Sequence, residues 1–298
     1  MMKIRTITYI LLLLVSVSLA SCVRDEVKPC PPLQVTLVVK DKNYFNVNKV
    51  ASEERKSEDL AFREYIPTLY CVLRDADTGK IVEEQGVFEV TGDDKTFTLT
   101  FCDCIPHGKY ILTVWGGLKD NTPLGDDPLT AMLHAENQEA TDVYMTNDVL
   151  VYDAWSNNQT VDMERVMGKL IVEVENLLYD VNYSDKTVGG LFKNVDNEFK
   201  YIESTSVYTQ NEWKYSPAIV TKTLLAPSQI EKGSAVHINF YDRPDRTSPR
   251  LTPKDVNITM KRNELTVLKY VYDDGEKDFL IYILVNDEWE VLHNMDID

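Results

Sequence analysis

Beyond its N-terminal segment, this chain alternates hydrophobic and polar positions along most of its length. Leu33, Val35, Leu37 and Val39 fall on one side of an extended segment, and Gln34, Thr36 and Lys40 on the other. Leu69, Cys71 and Leu73 alternate with Tyr70, Val72 and Arg74, and Phe97, Leu99 and Phe101 with Thr96, Thr98 and Thr100. Successive side chains of a strand point to opposite faces, so a period of two predicts half-buried antiparallel strands. Asp75 to Lys80 is turn sequence, and Ile81-Val82 resumes a strand. Pro106-His107-Gly108-Lys109-Tyr110 is expected to turn, with Gly108 free to take positive φ. Tyr110, Leu112 and Val114 then begin another strand. Ser52 to Tyr65 is charged and has room for a short helix. Asn121 to Ala140, with Pro123, Gly125 and Pro128, reads as a long excursion before strand-like sequence returns at Val143 to Tyr152.

The polar run Ser156-Asn157-Asn158-Gln159 marks the expected domain boundary. A second series follows it. Leu170, Val172 and Val174 alternate with Glu173 and Glu175, and Val236, Ile238 and Phe240 with His237, Asn239 and Tyr241. Val256, Ile258 and Met260 precede the polar turn Lys261-Arg262-Asn263-Glu264. Leu265 to Tyr272 and Phe279 to Val285 read as a hairpin joined through Asp273-Asp274-Gly275. The expected fold class is all-β: two antiparallel β-sandwich domains in tandem, residues 33–156 and 157–298.

The N-terminal segment has a different pattern. Lys3 and Arg5 precede an uncharged apolar run from Ile10 to Val15, which ends at Leu19-Ala20-Ser21-Cys22. This is the order of a secretory signal. The run is shorter than the roughly 20 apolar residues of a permanent membrane helix. A cysteine directly after small residues resembles the lipobox of bacterial lipoproteins, in which that thiol is acylated and the chain is cut just before it. Residues 1–21 are then the signal peptide, and Cys22 is the lipidation site and first residue of the mature chain. Val23 to Pro32 places charges ahead of Pro29, Pro31 and Pro32, so residues 22–32 read as an extended tether. Asp25-Glu26 resembles an export signal of surface lipoproteins, which implies an outer-membrane, cell-surface location.

The net charge is −17. Loss of Lys3 and Arg5 with the signal makes it about −19, which opposes contact with nucleic acid and with anionic membrane surfaces. Membrane residence must come from acyl chains, at about 0.8 kcal/mol per buried methylene. Hydrophobic residues make up 44% of the chain, enough for packed cores beyond the tether. Apart from Cys22 there are four cysteines, Cys30, Cys71, Cys102 and Cys104. Export to an oxidising compartment makes them disulfide candidates of undetermined pairing, with buried free thiols as the other reading. Cys102-Asp103-Cys104 with His107 lacks the second Cys/His pair of a zinc site, so no metal is expected.

No catalytic constellation is visible. His107, His134, His237 and His293 are scattered, and no nucleophile elbow, phosphate loop or zinc-protease helix occurs. No cofactor is expected. Asp120-Asn121 with Gly125-Asp126-Asp127 is oxygen-rich but lacks EF-hand spacing, so a solvated acidic loop is the better reading. Trp115, Trp155, Trp213 and Trp289 could stack on sugars. A glycan-binding surface lipoprotein is therefore the alternative function, although aromatic residues on strands usually pack in cores.

One ordered set of segments carries a family resemblance. Cys30-Pro31, the strand from Leu33 to Val39, Asp41-Lys42-Asn43-Tyr44-Phe45-Asn46, Leu73-Arg74-Asp75 with Thr78-Gly79, Gly108-Lys109-Tyr110, Trp115-Gly116-Gly117 and Met163 to Leu170 follow one another. Together with the lipobox they resemble the FimB-like fimbrillin-associated anchor lipoproteins, basal subunits of type V pili. The resemblance spans essentially the whole mature chain. It implies that each half is a transthyretin-like sandwich, and that the chain has no catalysis and no cofactor. It also implies that the chain fixes a fimbrium to the outer membrane, supports its assembly and length control, and has other fimbrial subunits as partners. Subunits of such pili join by strand exchange. An anchor would keep Leu33 to Val39 as its first strand and meet its neighbour through the second domain. Phe279 to Asp298 is then a candidate exchanged segment, or else an ordinary closing hairpin.

Overall fold

The computed structural model describes residues 31–101, 105–153 and 155–292. The described residues from 32 onward group as one compact unit. The strands are β1 (Gln34–Val39), β2 (Thr68–Asp75), β3 (Ile81–Glu89), β4 (Thr96–Thr100), β5 (Gly108–Gly116), β6 (Thr130–Met132), β7 (Tyr144–Tyr152), β8 (Asn158–Arg165) and β9 (Gly168–Glu175). They continue as β10 (Tyr183–Asp196), β11 (Tyr201–Glu212), β12 (Ile219–Leu225), β13 (Ser234–Tyr241), β14 (Val256–Ile258), β15 (Leu265–Asp273), β16 (Asp278–Val285) and β17 (Glu288–Val291). One short helix, α1 (Val47–Val50), lies between β1 and β2, with brief 3-10 turns near it.

The first seven-stranded sheet runs β3-β2-β5-β7-β8-β1-β4. It folds over on itself, because β7 and β8 share only the pairs Tyr144–Arg165 and Met145–Glu164 before they part. Two layers result, and Val35, Leu37, Leu73, Leu112, Leu150 and Met163 are buried in the core they share. The face expected from alternation in β1 is the buried one: Leu33, Val35, Leu37 and Val39 all lie in this core. In β2 the other face is buried as well. Tyr70 and Val72 pack with Trp115 and Met145 under the 118–133 segment, in a second apolar cluster.

The other two sheets run β11-β10-β13-β14 and β12-β9-β15-β16-β17. Leu170, Val172, Val188, Val236, Leu268 and Tyr270 share the core of this second part. The protein is all-β, as expected, but two of its pairings are parallel: β1 with β8, and β9 with β15. In each case a long stretch of chain intervenes, as parallel pairing requires.

The expected boundary at 156/157 does not coincide with the change of sheet. β8 begins at Asn158, pairs with β1 from Asn158 to Met163 and with β7 at Glu164 and Arg165, so the first sandwich continues to Arg165. The excursion at 121–140 also crosses between the parts, because its strand β6 pairs with β10. Gly108 opens β5 without positive φ. In the β15–β16 hairpin, Asp273 pairs with Asp278. There the positive φ falls on Lys277 rather than Gly275, and the Asp273 carboxylate accepts the Gly275 N–H at 2.8 Å.

Candidate functional site

The junction between the two sandwiches is built from polar side chains of the first part that reach the second. Asn46 caps α1 in position but directs its carboxamide elsewhere: its amide donates to the Leu265 carbonyl, and its oxygen accepts the Leu265 N–H. Next to it, the Phe45 N–H donates to the Asn263 carbonyl at 2.9 Å. Arg165, at the end of β8, is only 1% exposed. Its guanidinium reaches Asp142 at 3.0 Å, the Asn263 side-chain oxygen at 2.6 Å and the Tyr144 hydroxyl. It also lies 4.2 Å from the centre of the Tyr44 ring. Its backbone N–H donates to Asp41 at 2.8 Å. Burial raises the Asp41 pKa, and that hydrogen bond and nearby Arg262 oppose the rise.

A second ion network surrounds this one. Glu164 takes Lys40 at 2.7 Å and also Arg262, which lies 4.3 Å from the Phe199 ring. Burial pushes Glu164 upward, but the bonds from Lys40 and Arg262 outweigh it, and its pKa is lowered. Glu54 likewise bridges Lys169 and Lys222 of the second part. His134, on the crossing excursion, is buried: its Nδ1 is 2.9 Å from the Gln138 carbonyl, and its Nε2 accepts the Ala226 N–H at 3.0 Å. These contacts fix the neutral tautomer with the proton on Nδ1, and burial lowers the pKa to about 4.

The junction lies at one end of the first sandwich and the start of β1 at the other. β1 runs from Gln34, beside Asn158, to Val39, beside Met163, and so toward Arg165. The Gln34 N–H donates to the Asn157 carbonyl at 2.7 Å. β1 lies inside its layer, between β4 and β8. Its four core side chains, counting Leu33, contribute roughly 6–12 kcal/mol, at about 1.5–3 kcal/mol each. That rivals the whole net stability of a domain, about 5–15 kcal/mol. Far along the chain, β17 closes a hairpin on β16 at the edge of its sheet. All four of its residues are exposed.

The residues singled out in the sequence fall in different places. Cys22, Cys30, Cys102, Cys104 and His293 lie outside the described residues, as do the closing residues 293–298. Cys71 is a buried free thiol, pushed up to about 12 by burial. His107 packs edge-on to Tyr152, and exposed His237 contacts Asp255 at 2.6 Å. Asp120 and Asp127 cap local turns at Thr122 and Leu129, and the Asn121 side chain accepts the Val87 N–H. Among the described residues no group of three or more His, Cys, Asp or Glu is placed to hold a metal. The four tryptophans do not form a row. Trp115 is buried and donates to the Pro128 carbonyl, Trp213 packs on Phe240, Trp289 sits beside Lys269, and Trp155 projects into solvent.

Where β7 and β8 part, they leave a cleft of about 480 Å³ lined by Asp148, Asp162 and Glu164. Glu164 is held ionised by its two cations. Asp148 accepts the Thr146 hydroxyl at 2.6 Å. In the sequence Asp41, Asn46, Arg165 and Asn263 fall within separate segments that nothing there brings together, because they meet only in three dimensions.

No family model matches the chain, and no curated protein matches it. Solved structures do. A candidate adhesin from Bacteroides thetaiotaomicron is 14% identical, with a TM-score of 0.58 over 90% of this chain and 100% of that one. A candidate polysaccharide-binding protein from the same organism is 10% identical, with a TM-score of 0.56 over 88% and 98%. The fimbrial anchor protein Mfa2 from Porphyromonas gingivalis is 12% identical, with a TM-score of 0.47 over 88% and 100%. The two Bacteroides proteins are described as an adhesin and a polysaccharide-binding protein, and the chain shares their β-sandwich fold.

Proposed function

We propose that this chain is a lipid-anchored fimbrial subunit, which holds a fimbrium to the outer membrane through acyl chains on Cys22 and supports its assembly and length control. The observation that carries this reading is the placement of β1. The strand that follows the tether is buried inside a sheet and runs to a junction locked by Asp41, Asn46, Arg165 and Asn263. A pull on the second part would pass through packed strands and buried hydrogen bonds to the N-terminus, as an anchor requires. The exposed edge β17 is the candidate contact for the next subunit, through strand addition along its free backbone groups. Replacing Cys22 by alanine tests the anchor. The expected result is intact fimbriae shed into the medium with this subunit still at their base. Fimbriae that stay on the cells would overturn the reading.

Glycan capture is the second reading. It draws on the fold shared with the candidate polysaccharide-binding protein. The scattered tryptophans give it no stacking platform. Saturable binding of a defined oligosaccharide, lost on substitution of an exposed aromatic residue, would favour it over the anchor.

A further inference from the structure

The outer face of the β3-β2-β5-β7 layer is only partly covered. Near the junction, Trp115 and Met145 stand opposite each other, buried under Leu118, Leu124 and Leu133. One step further along, Thr113 faces Asn147, and Asn197 donates to the Asn147 side chain at 3.1 Å. The same face then continues bare. Ile111 stands opposite Val149, and Lys109 opposite Val151. Across β2, Arg74 separates Ile111 from Ile81. Val149 is 63% exposed, and Ile81 and Val151 are also exposed.

Beyond the end of β7, Trp155 is 93% exposed. The Asp153 carboxylate accepts the N–H groups of Trp155 and Ser156 at 2.7 and 2.8 Å, so the turn that presents the indole is itself hydrogen-bonded. Two residues on, Asn157 receives the N–H of Gln34. The indole therefore stands at the end of the sandwich where the chain begins its first strand.

We propose that this stripe, together with Trp155, lies against the lipid surface and sets how the sandwich leans on the membrane; this rests on the reading of Cys22 as acylated. Chain length is the first argument. Cys22 and Leu33 are eleven residues apart, at most about 40 Å when fully extended, so the anchored end cannot stray far from the bilayer. Side-chain chemistry is the second. Tryptophan favours the membrane–water interface, where its ring is apolar and its N–H stays hydrated. Lys109, opposite Val151, can run its stem along the surface and keep its ammonium in water.

The test uses acylated protein from native membranes, placed in phosphatidylcholine vesicles with brominated chains, which quench nearby indoles. The wild type is expected to lose emission relative to unbrominated vesicles, and Trp155→Phe to lose that quenching. The substitution leaves the fold intact, because the exposed ring supports no core. Equal quenching of both proteins, acylated and vesicle-bound, overturns the lipid contact and leaves the anchor reading standing. A stripe covered by another subunit or a second copy would give the same equal quenching. Protein that carries no acyl chain and does not float with vesicles overturns both readings.

Discussion

Asn46 and Leu265 exchange two hydrogen bonds of 2.8 Å across the junction, so one carboxamide completes a backbone pairing between the two sandwiches. Both Leu265 groups are strand-end backbone that would otherwise lack a partner. Replacing Asn46 by alanine is expected to cost about 1–3 kcal/mol, the penalty of leaving such groups unpaired. A shift of the urea midpoint measures it. An unchanged midpoint would mean that water replaces the amide at no cost.

Arg165 makes a stronger demand. Replacing it by methionine keeps volume but leaves Asp142, Tyr144 and Asn263 without its guanidinium. Removing one partner of a buried ion pair costs about 3–5 kcal/mol. Calorimetry is expected to show a lower melting temperature and separate transitions for the two parts. A single transition at the wild-type temperature would show that the junction does not depend on this residue.

His134 gives the junction a pH dependence. Its pKa is lowered to about 4 from an ordinary 6.5. Between those values the unfolded chain takes up a proton that the folded chain refuses, so stability falls as pH drops through that window. The full loss is about 3 kcal/mol. His134→Gln is expected to flatten this slope in melting curves between pH 7 and pH 4. Parallel slopes for the two proteins would assign the acid sensitivity elsewhere.

The edge strand allows a sharper separation of fold from function. Deleting Glu288 to Asp298 removes four exposed strand residues and the closing tail. The mutant is expected to fold and to lose attachment of the next subunit, read by co-purification. Unchanged attachment in a folded mutant would remove β17 as the contact.

Period-two alternation made much of the fold legible, because one face of each strand is buried. Leu33 to Val39, Phe97 to Phe101 and Val236 to Phe240 pack as their spacing indicates. Alternation failed where both faces are buried or both are wet. The long β10–β11 hairpin is not among the expected strands. Gly189-Gly190 interrupts its pattern as a bulge, with Gly190 at φ 67 and a backbone approach so close that a Cβ there would stand 2.0 Å from the Gly233 oxygen. The change of sheet after Arg165 was not visible, because the polar turn at Ser156 to Gln159 inside the first sheet looks like a linker. The junction was illegible for a different reason: Asn46 and Leu265 are 219 residues apart, and no local pattern links them.

The most direct test is the N-terminal mass of the protein isolated from its native membrane. A mature chain that begins at acylated Cys22 and retains β1 is the expected result. A chain that begins beyond Leu33 and carries no lipid would contradict the anchor, because the strand buried between β4 and β8 would then be absent from the assembled subunit.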